Sequence, residues 1–264
     1  MATGLKDPKD QTSAYQLTKT KTKPNNMQGI SVIMPSYLGE YSGAAMNSDK
    51  KFIRAVESFK NQTLVEKELI IVSDGCELTN QIYQDRWQED PIIRLIRSEK
   101  MEVTWPGELR EVGRSVAKYN WIHYLDADDL DLPNHLELAN TAILTRDEGV
   151  TVLFNTHSIF PLPETPNQLL LAYMNMSLEQ YTQAREAATV LMGHKMATAK
   201  TKGHVGTWQI VHHKHVPHRW KNSDHMGEDS YFIRELKTTE KWQEFRGQHI
   251  HAHNTYKRQD LWEI

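Results

Sequence analysis

The sequence has a single cysteine, Cys76, and no run of 18 apolar residues anywhere in its 264 positions. One cysteine excludes a disulfide within the chain and fits a reducing compartment. The lack of a long apolar run argues against a membrane-spanning helix, and residues 1–28 lack the apolar segment of a secretory signal. We therefore expect a soluble, cytoplasmic protein with no transmembrane segment.

An excess of charge of one sign is also missing, because 31 basic and 34 acidic residues leave a net charge of −3. Such a balance points to no partner by itself. Acidic residues are absent from residues 187–223, however, while Lys and Arg occur there repeatedly. Residues 1–28 are polar and contain five lysines, and we interpret them as a flexible basic N-terminal arm.

Short apolar runs alternate with amphipathic segments. Runs of the strand type lie at residues 30–34, 68–72, 92–96, 121–125 and 150–154. Helical spacing occurs at residues 52–59 and 110–119, and Pro133 suits the first turn of a helix that extends to about Glu148. This alternation predicts an α/β fold, with a mostly parallel sheet flanked by helices.

Polar motifs follow three of the predicted strands. They are Pro35-Ser36-Tyr37, Ser73-Asp74-Gly75 and the run Asp126-Ala127-Asp128-Asp129, called the acidic turn below. In open α/β sheets, ligands bind beyond the carboxyl ends of the strands. We therefore expect the three motifs to share one edge of the sheet and to line a binding pocket there.

The acidic turn directly follows an apolar strand. Carboxylates this close together repel one another, and a divalent cation removes that cost. Oxygen ligands of this kind suit Mg²⁺ or Mn²⁺, and such an ion could bridge a diphosphate and neutralise charge on a leaving group. The same residues could instead form a solvated turn that caps the helix after Pro133.

Five motifs in order resemble the family 2 glycosyltransferases with the GT-A fold. They are residues 32–37, residues 71–75, Arg110 with Gly113, residues 124–129, and Gly227-Glu228-Asp229. The resemblance covers residues 29–155 and 206–237. It implies an inverting, metal-dependent enzyme that moves a sugar from a nucleotide-sugar, most often UDP-linked, to a hydroxyl acceptor. It also implies a donor-binding half at residues 29–155 and an acceptor-binding half with the catalytic base at residues 156–264.

The resemblance assigns donor-binding roles by position. Pro35 and Tyr37 would line the base pocket, and Asp74 would hydrogen-bond the base. Glu40 lies where the family often has a second acidic contact to the nucleoside, although the loop after Tyr37 is longer here. Arg110 would face the nucleotide or its phosphates. The next residue is Glu111 where the family often has asparagine.

The resemblance also assigns the metal site. Asp126, with Ala127 beside it, would contact the ribose and support the metal shell, and Asp128 would ligate Mn²⁺ or Mg²⁺. A C-terminal histidine often completes that shell in GT-A enzymes. His249 and His251 are the candidates, because alternate residues of a strand share a face. They could equally be surface histidines or histidines held by hydrogen bonds.

Asp229, beside Glu228, would be the general base. A sugar hydroxyl is a poor nucleophile at neutral pH, so a carboxylate must take its proton as it attacks. An alternative is that both acids lie in the first turn of a helix, where the helix dipole favours negative charge. The two interpretations are compatible.

The acid-free stretch before Asp224 would build the acceptor side, with Trp208, Lys214 and Trp220 as contact residues. Basic and aromatic residues suit an anionic acceptor, such as a nucleic acid, a phosphorylated lipid or an acidic glycan. A modified DNA base is one hypothesis of this kind. The stretch could also be a solvated positive face or a loop that folds over the donor phosphates. A zinc cluster at residues 212–215 is a further alternative, although no cysteine accompanies those histidines.

Two other classes of protein compete with a glycosyltransferase. A nucleotidyltransferase usually opens with a phosphate loop rich in glycine and lysine, where this sequence has Pro35-Ser36-Tyr37. A non-catalytic module for nucleotide-sugars or nucleic acid would not need Asp128 or Asp229. The sequence indicates neither the sugar, nor the acceptor, nor the oligomeric state.

Overall fold

A computed structural model describes residues 29–40, 47–101, 106–155, 158–159, 206–221, 228–245 and 249–250. The predicted N-terminal arm, residues 160–205 and His251 lie outside these ranges.

Strands and helices alternate through the first half of the described chain. They are β1 (Ile30–Ser36), α1 (Ser48–Lys60), β2 (Lys67–Asp74), α2 (Glu77–Arg86), β3 (Ile93–Ser98), α3 (Gly107–Ser115), β4 (Trp121–Tyr124), β5 (Leu130–Asp131), α4 (His135–Thr145) and β6 (Val150–Asn155). After these come β7 (Ser158–Ile159), a short 3-10 helix (Thr207–Gln209), β8 (Ile210–His213), α5 (Glu228–Thr239), β9 (Lys241–Phe245) and β10 (His249–Ile250).

Seven strands form one mixed sheet in the order β3-β2-β1-β4-β8-β6-β9. The first four are parallel to their neighbours, β8 is antiparallel to β4 and β6, and β9 is parallel to β6. The predicted α/β sheet is therefore confirmed. Because β8 and β9 follow residue 155, both predicted halves of the chain contribute to this one sheet. A second sheet, β5-β10-β7, was not predicted.

The central strands are buried on both faces. Val32 and Met34 of β1 pack in an apolar cluster with Phe52 of α1. Ile33 points to the opposite face, where it joins a second cluster that includes Phe232 of α5. Successive side chains of a strand point to opposite faces, so an uninterrupted apolar run is what a strand covered on both sides requires.

Helix α3 ends at Ser115, four residues before the predicted end at Tyr119. The amides that would extend the helix are taken by side chains of the neighbouring strands. The amide of Lys118 donates to Glu68 Oε1 (2.5 Å), and the amide of Tyr119 donates to Ser31 Oγ (3.0 Å). Tertiary hydrogen bonds thus override the local helical spacing. The predicted helix after Pro133 also proves shorter, since α4 begins at His135 and ends at Thr145.

Gly113 lets α3 approach the sheet closely. A Cβ atom at this position would lie 2.5 Å from Ile33 Cγ2 and 3.3 Å from Val72 Cγ2. The first distance is too short for two carbon atoms, so a larger residue would push the helix away. Arg110, one turn earlier on the same helix, is therefore held close to the carboxyl ends of β1 and β4.

Within the described ranges, no helix combines the length and the apolar character needed to cross a membrane.

Candidate active site

The three polar motifs lie along one edge of the main sheet, as predicted. Ser36 at the end of β1 pairs with Ser73 near the end of β2. On the other side of β1, Ile33 pairs with Tyr124, the last residue of β4. Because these strands are parallel neighbours, the motifs that follow them meet at the same edge. Pro35 is buried within β1, whereas Glu40 is exposed on the loop that follows.

Asp74 is held at this edge by a lysine that no sequence motif marks. Its Oδ2 atom accepts from Lys100 Nζ at 2.5 Å, and its Oδ1 atom accepts from the amide of Met101 at 2.7 Å. Lys100 Nζ also lies 3.6 Å from the centroid of the Tyr37 ring, a cation–π contact. Lys100 lies two residues after β3, the strand next to β2, and a position beyond a strand end was the signal that could have marked it.

Gly75 makes this arrangement possible. Its φ of 58° lies in the left-handed region that favours glycine. A Cβ atom there would be 2.6 Å from the backbone nitrogen of Lys100. The turn after β2 therefore packs directly against the backbone that presents Lys100.

Arg110 joins three of the predicted motifs. Its guanidinium donates to Glu228 Oε1 at 2.9 Å and to Asp126 Oδ1 at 3.0 Å. Arg110 is only 3% exposed, and burial alone would lower its pKa. The charges of Asp126 and Glu228 outweigh that effect, so the pKa of Arg110 is raised and the side chain stays charged. We call these three residues the Arg110 bridge.

The acidic turn is folded on itself and held by a second arginine. The amide of Asp129 donates to the carbonyl of Asp126 at 3.0 Å. Arg54, on α1, donates to the carbonyl of Asp128 at 3.0 Å. Burial lowers the pKa of Arg54 to about 10, although the negative charges of Asp128 and Asp129 act to raise it. The Arg54 side chain therefore remains protonated at neutral pH. Nothing in the sequence pattern had linked Arg54 to this turn.

The carboxylates of the turn suit a hard divalent cation. The Asp126 side chain is 31% exposed, and Asp128 is also partly exposed, so solvent or a ligand can reach both. Oxygen donors of this type fit Mg²⁺ or Mn²⁺. The backbone of His249 pairs with Asp131, two residues after the turn. The structure does not describe the His249 side chain, and His251 lies outside the described ranges.

The two acids at the start of α5 have different surroundings. Glu228 is 6% exposed and ion-paired with Arg110. Asp229 is partly exposed, and its Oδ1 atom accepts from the amide of Ser230 at 2.6 Å. Of the two predicted catalytic acids, Glu228 is thus engaged in the Arg110 bridge, and Asp229 is the more exposed one.

Two of the three predicted acceptor residues have other roles in the structure. Trp220 is 4% exposed, stacks on Phe232 at a centroid distance of 4.2 Å, and donates to Tyr124 Oη at 2.7 Å. Its indole closes the second apolar cluster and offers no face to an acceptor. Lys214 follows β8 beside the start of β4, at the opposite edge of the sheet, and donates to the carbonyl of Ala117 at 3.3 Å.

Trp208, the third predicted acceptor residue, lies toward the edge of the sheet that carries the polar motifs. It lies in the 3-10 helix that immediately precedes β8, and Val211 of β8 pairs with His123 near the end of β4. Since β8 runs antiparallel to β4, residues before β8 lie toward the carboxyl end of β4. Trp208 is partly exposed there.

His212 belongs to a buried network behind the site. Its Nε2 atom lies 2.9 Å from Tyr124 Oη, and burial together with the charge of Arg114 lowers the pKa of His212 to about 3. In the part of the chain that the structure describes, His212, His213 and His215 do not form a metal-ligand cluster. The zinc alternative at these residues therefore receives no support.

The buried His212 should make stability depend on pH. Between about pH 6.5 and 3 the unfolded chain protonates this imidazole while the folded chain does not, so the free energy of unfolding should fall as pH decreases. A His212→Gln variant should show a shallower fall. Urea denaturation of both proteins from about pH 7 to about pH 4 measures the two slopes. Equal slopes would show that His212 does not titrate in this way.

Solved structures with a similar architecture identify the fold. The crystal structure of residues 1–349 of Staphylococcus aureus TarS superposes with a TM-score of 0.53 at 14% identity, over 85% of this chain and 58% of that one. The same protein in complex with UDP-GlcNAc gives 0.52 at 15% identity, over 85% and 56%. The fold is thus the GT-A fold.

Sequence comparison establishes the family. Residues 31–202 match the family described as "Glycosyl transferase family 2", and the chain belongs to that family. It is 27% identical over 124 residues to "Glycosyltransferase GlyG" of Streptococcus pneumoniae, covering 47% of this chain and 38% of that protein. It is 28% identical over 110 residues to "Chondroitin synthase" of Escherichia coli, covering 41% and 14%. The chain therefore matches well under half the length of these relatives.

Proposed function

We propose that this chain is an inverting glycosyltransferase that moves a sugar from a UDP-linked donor to a hydroxyl acceptor, with Mn²⁺ or Mg²⁺ at the acidic turn. The Arg110 bridge is the observation that carries the proposal. It ties the acidic turn, through Asp126, to Glu228 at the start of α5, at distances of 3.0 and 2.9 Å. Asp229 is the residue after Glu228. The buried guanidinium of Arg110 therefore fixes the position of the proposed general base relative to the acidic turn.

The donor base would bind between Tyr37 and Asp74. Both lie at the sheet edge, and Lys100 contacts both of them. A similar fold holding UDP-GlcNAc in TarS supports a nucleotide-sugar as the ligand. Pro35, buried one residue before the end of β1, would form the floor of this pocket.

The residues of this chain suit a single displacement. Asp229 would take the proton of the acceptor hydroxyl as that oxygen attacks the anomeric carbon. Asp128 would ligate the metal ion and Asp126 would contact the ribose and support the metal shell; the ion would supply positive charge where the diphosphate departs. Glu228, buried against Arg110, would keep Asp229 in place and would not itself transfer a proton.

We extend the proposal to an anionic acceptor. The support is the lack of acidic residues from 187 to 223, and a basic surface raises the local concentration of an anionic partner. Trp208, partly exposed just before β8, would supply an indole that can stack on a sugar ring or a base.

The test is a thermal melting experiment with a panel of UDP-, GDP-, CMP- and dTDP-sugars, each with and without MnCl₂. A ligand at about one hundred times its Kd stabilises the folded protein by about 2.7 kcal/mol, which is a rise of several degrees in Tm for a chain of this size. We expect the largest rise with a UDP-sugar in the presence of Mn²⁺. A panel in which no nucleotide-sugar raises the Tm would contradict the proposal.

A further inference from the structure

Three buried side chains that the proposed function does not use converge behind the acidic turn. His123 lies on β4, Asp131 on β5 and His135 at the start of α4, and each is at most 2% exposed. His123 Nε2 is 2.9 Å from Asp131 Oδ2, and His135 Nε2 is 3.9 Å from Asp131 Oδ1. One ligand atom from each residue lies within 4.8 Å of the others. We call this group the His-Asp-His cluster.

These spacings are close to those of a tetrahedral metal site. Zinc binds imidazole nitrogen and carboxylate oxygen at about 2.0–2.2 Å, which puts neighbouring ligand atoms about 3.3 Å apart. His123 approaches Asp131 Oδ2 at 2.9 Å and His135 approaches Asp131 Oδ1 at 3.9 Å, and one ligand atom from each residue lies within 4.8 Å of the others. Side-chain rotations that turn one Asp131 oxygen toward both imidazoles would close the site around one ion.

The hydrogen bonding of His123 is compatible with a bound cation. Its Nδ1 atom faces the carbonyl of Ile210 at 3.3 Å, and because a carbonyl only accepts, Nδ1 is the nitrogen that would donate there. Nε2 faces the carboxylate of Asp131, where it can carry the second proton of an imidazolium or offer its lone pair to a metal ion. A histidine that donates its other N–H to a backbone carbonyl is the usual arrangement around a metal ion.

We propose that His123, Asp131 and His135 bind one zinc ion in the protein interior. Two imidazoles and a carboxylate suit zinc, whereas the carboxylates of the acidic turn suit Mg²⁺ or Mn²⁺. The two sites therefore differ in ligand chemistry and in burial.

The zinc ion would fix the elements on both sides of the acidic turn. His123 precedes the turn and Asp131 follows it, so an ion bound to both closes the loop between them. His135 adds the first turn of α4 to the same point. Asp131 also pairs through its backbone with β10, so the ion would anchor the small second sheet as well.

The proposal is tested by measuring the zinc content of the full chain after purification without chelators. We expect about one zinc per chain in the wild type and at least a tenfold lower content in His135→Gln, since loss of one ligand outweighs the effects of supporting residues. His212→Gln is the matched control, because it also replaces a fully buried histidine, and it should keep its zinc. A wild type without zinc, or a His135→Gln variant that retains it, would overturn the proposal.

A second measurement does not depend on the variant folding. Zinc-loaded wild-type crystals should show an anomalous scattering peak among the three side chains when data are collected at the zinc absorption edge. Chelation should lower the Tm, and Zn²⁺ should restore it where Mg²⁺ does not. A peak at the acidic turn alone, with none inside the cluster, would contradict the assignment. Neither result depends on whether the chain transfers sugar.

Discussion

Asp229→Asn should lower the kcat for sugar transfer by about 10²–10⁴-fold, the contribution typical of a general base. The variant should bind the donor as the wild type does, because the donor contacts lie on β1, β2 and the acidic turn. The amide can still accept the hydrogen bond from the Ser230 amide, so the start of α5 should keep its conformation. Steady-state transfer rates and donor Kd values for both proteins give the comparison.

Glu235→Gln provides a control on the same helix. Glu235 lies almost two turns after Asp229 and forms an ion pair with Lys221 at 2.8 Å, away from the Arg110 bridge. Its replacement should leave kcat within about twofold of the wild type, because surface ion pairs contribute little. Full transfer activity in Asp229→Asn would refute the assignment of the base.

Arg110→Met should lower the free energy of unfolding by about 3–5 kcal/mol, the cost of breaking a buried ion pair by removing one partner. Methionine keeps much of the apolar contact with the Trp220 ring, whose centroid lies 4.9 Å from the guanidinium carbon. It leaves the buried carboxylate of Glu228 without its cation. Urea denaturation at neutral pH measures the loss.

Two further variants distinguish the stability contributed by the Arg110 bridge from the general effect of removing an arginine. Arg94→Met removes an ion pair with Glu68 in which the arginine is 46% exposed, and it should cost less than about 1 kcal/mol. The double variant Arg110→Met with Glu228→Gln removes both charges of the buried pair and should recover part of the lost stability. If Arg110→Met were no less stable than Arg94→Met, the bridge would not be the stabilising element we infer.

The sheet edge that carries the site could be predicted from sequence because it depends only on which residues follow each strand. Each apolar run ends at a polar motif, and adjacent parallel strands must bring such motifs together. Asp74 and Asp126 were found in this way. Lys100 follows the same rule after β3, but it has no neighbouring motif to mark it, so it was missed.

The contacts that depend on distant pairs of residues could not be predicted. Trp220 lies in a basic stretch of sequence that suggests a surface position, yet its ring packs on Phe232 and Tyr124. Glu228 and Arg110 are 118 residues apart, and only the packing of α3 and α5 on one face of the sheet makes them partners. The small second sheet consists of two-residue strands, which are too short to show a periodic pattern.

The central claim is that the acidic turn holds a metal ion for the diphosphate of a nucleotide-sugar. The most direct test is the Kd of the best-stabilising nucleotide-sugar, measured by titration calorimetry with Mn²⁺ and again with excess EDTA, for the wild type and Asp128→Asn. We expect EDTA to weaken binding at least about tenfold in the wild type, as loss of a metal–phosphate contact would. Asp128→Asn should bind weakly under both conditions. Equal wild-type affinity with and without metal would contradict the account.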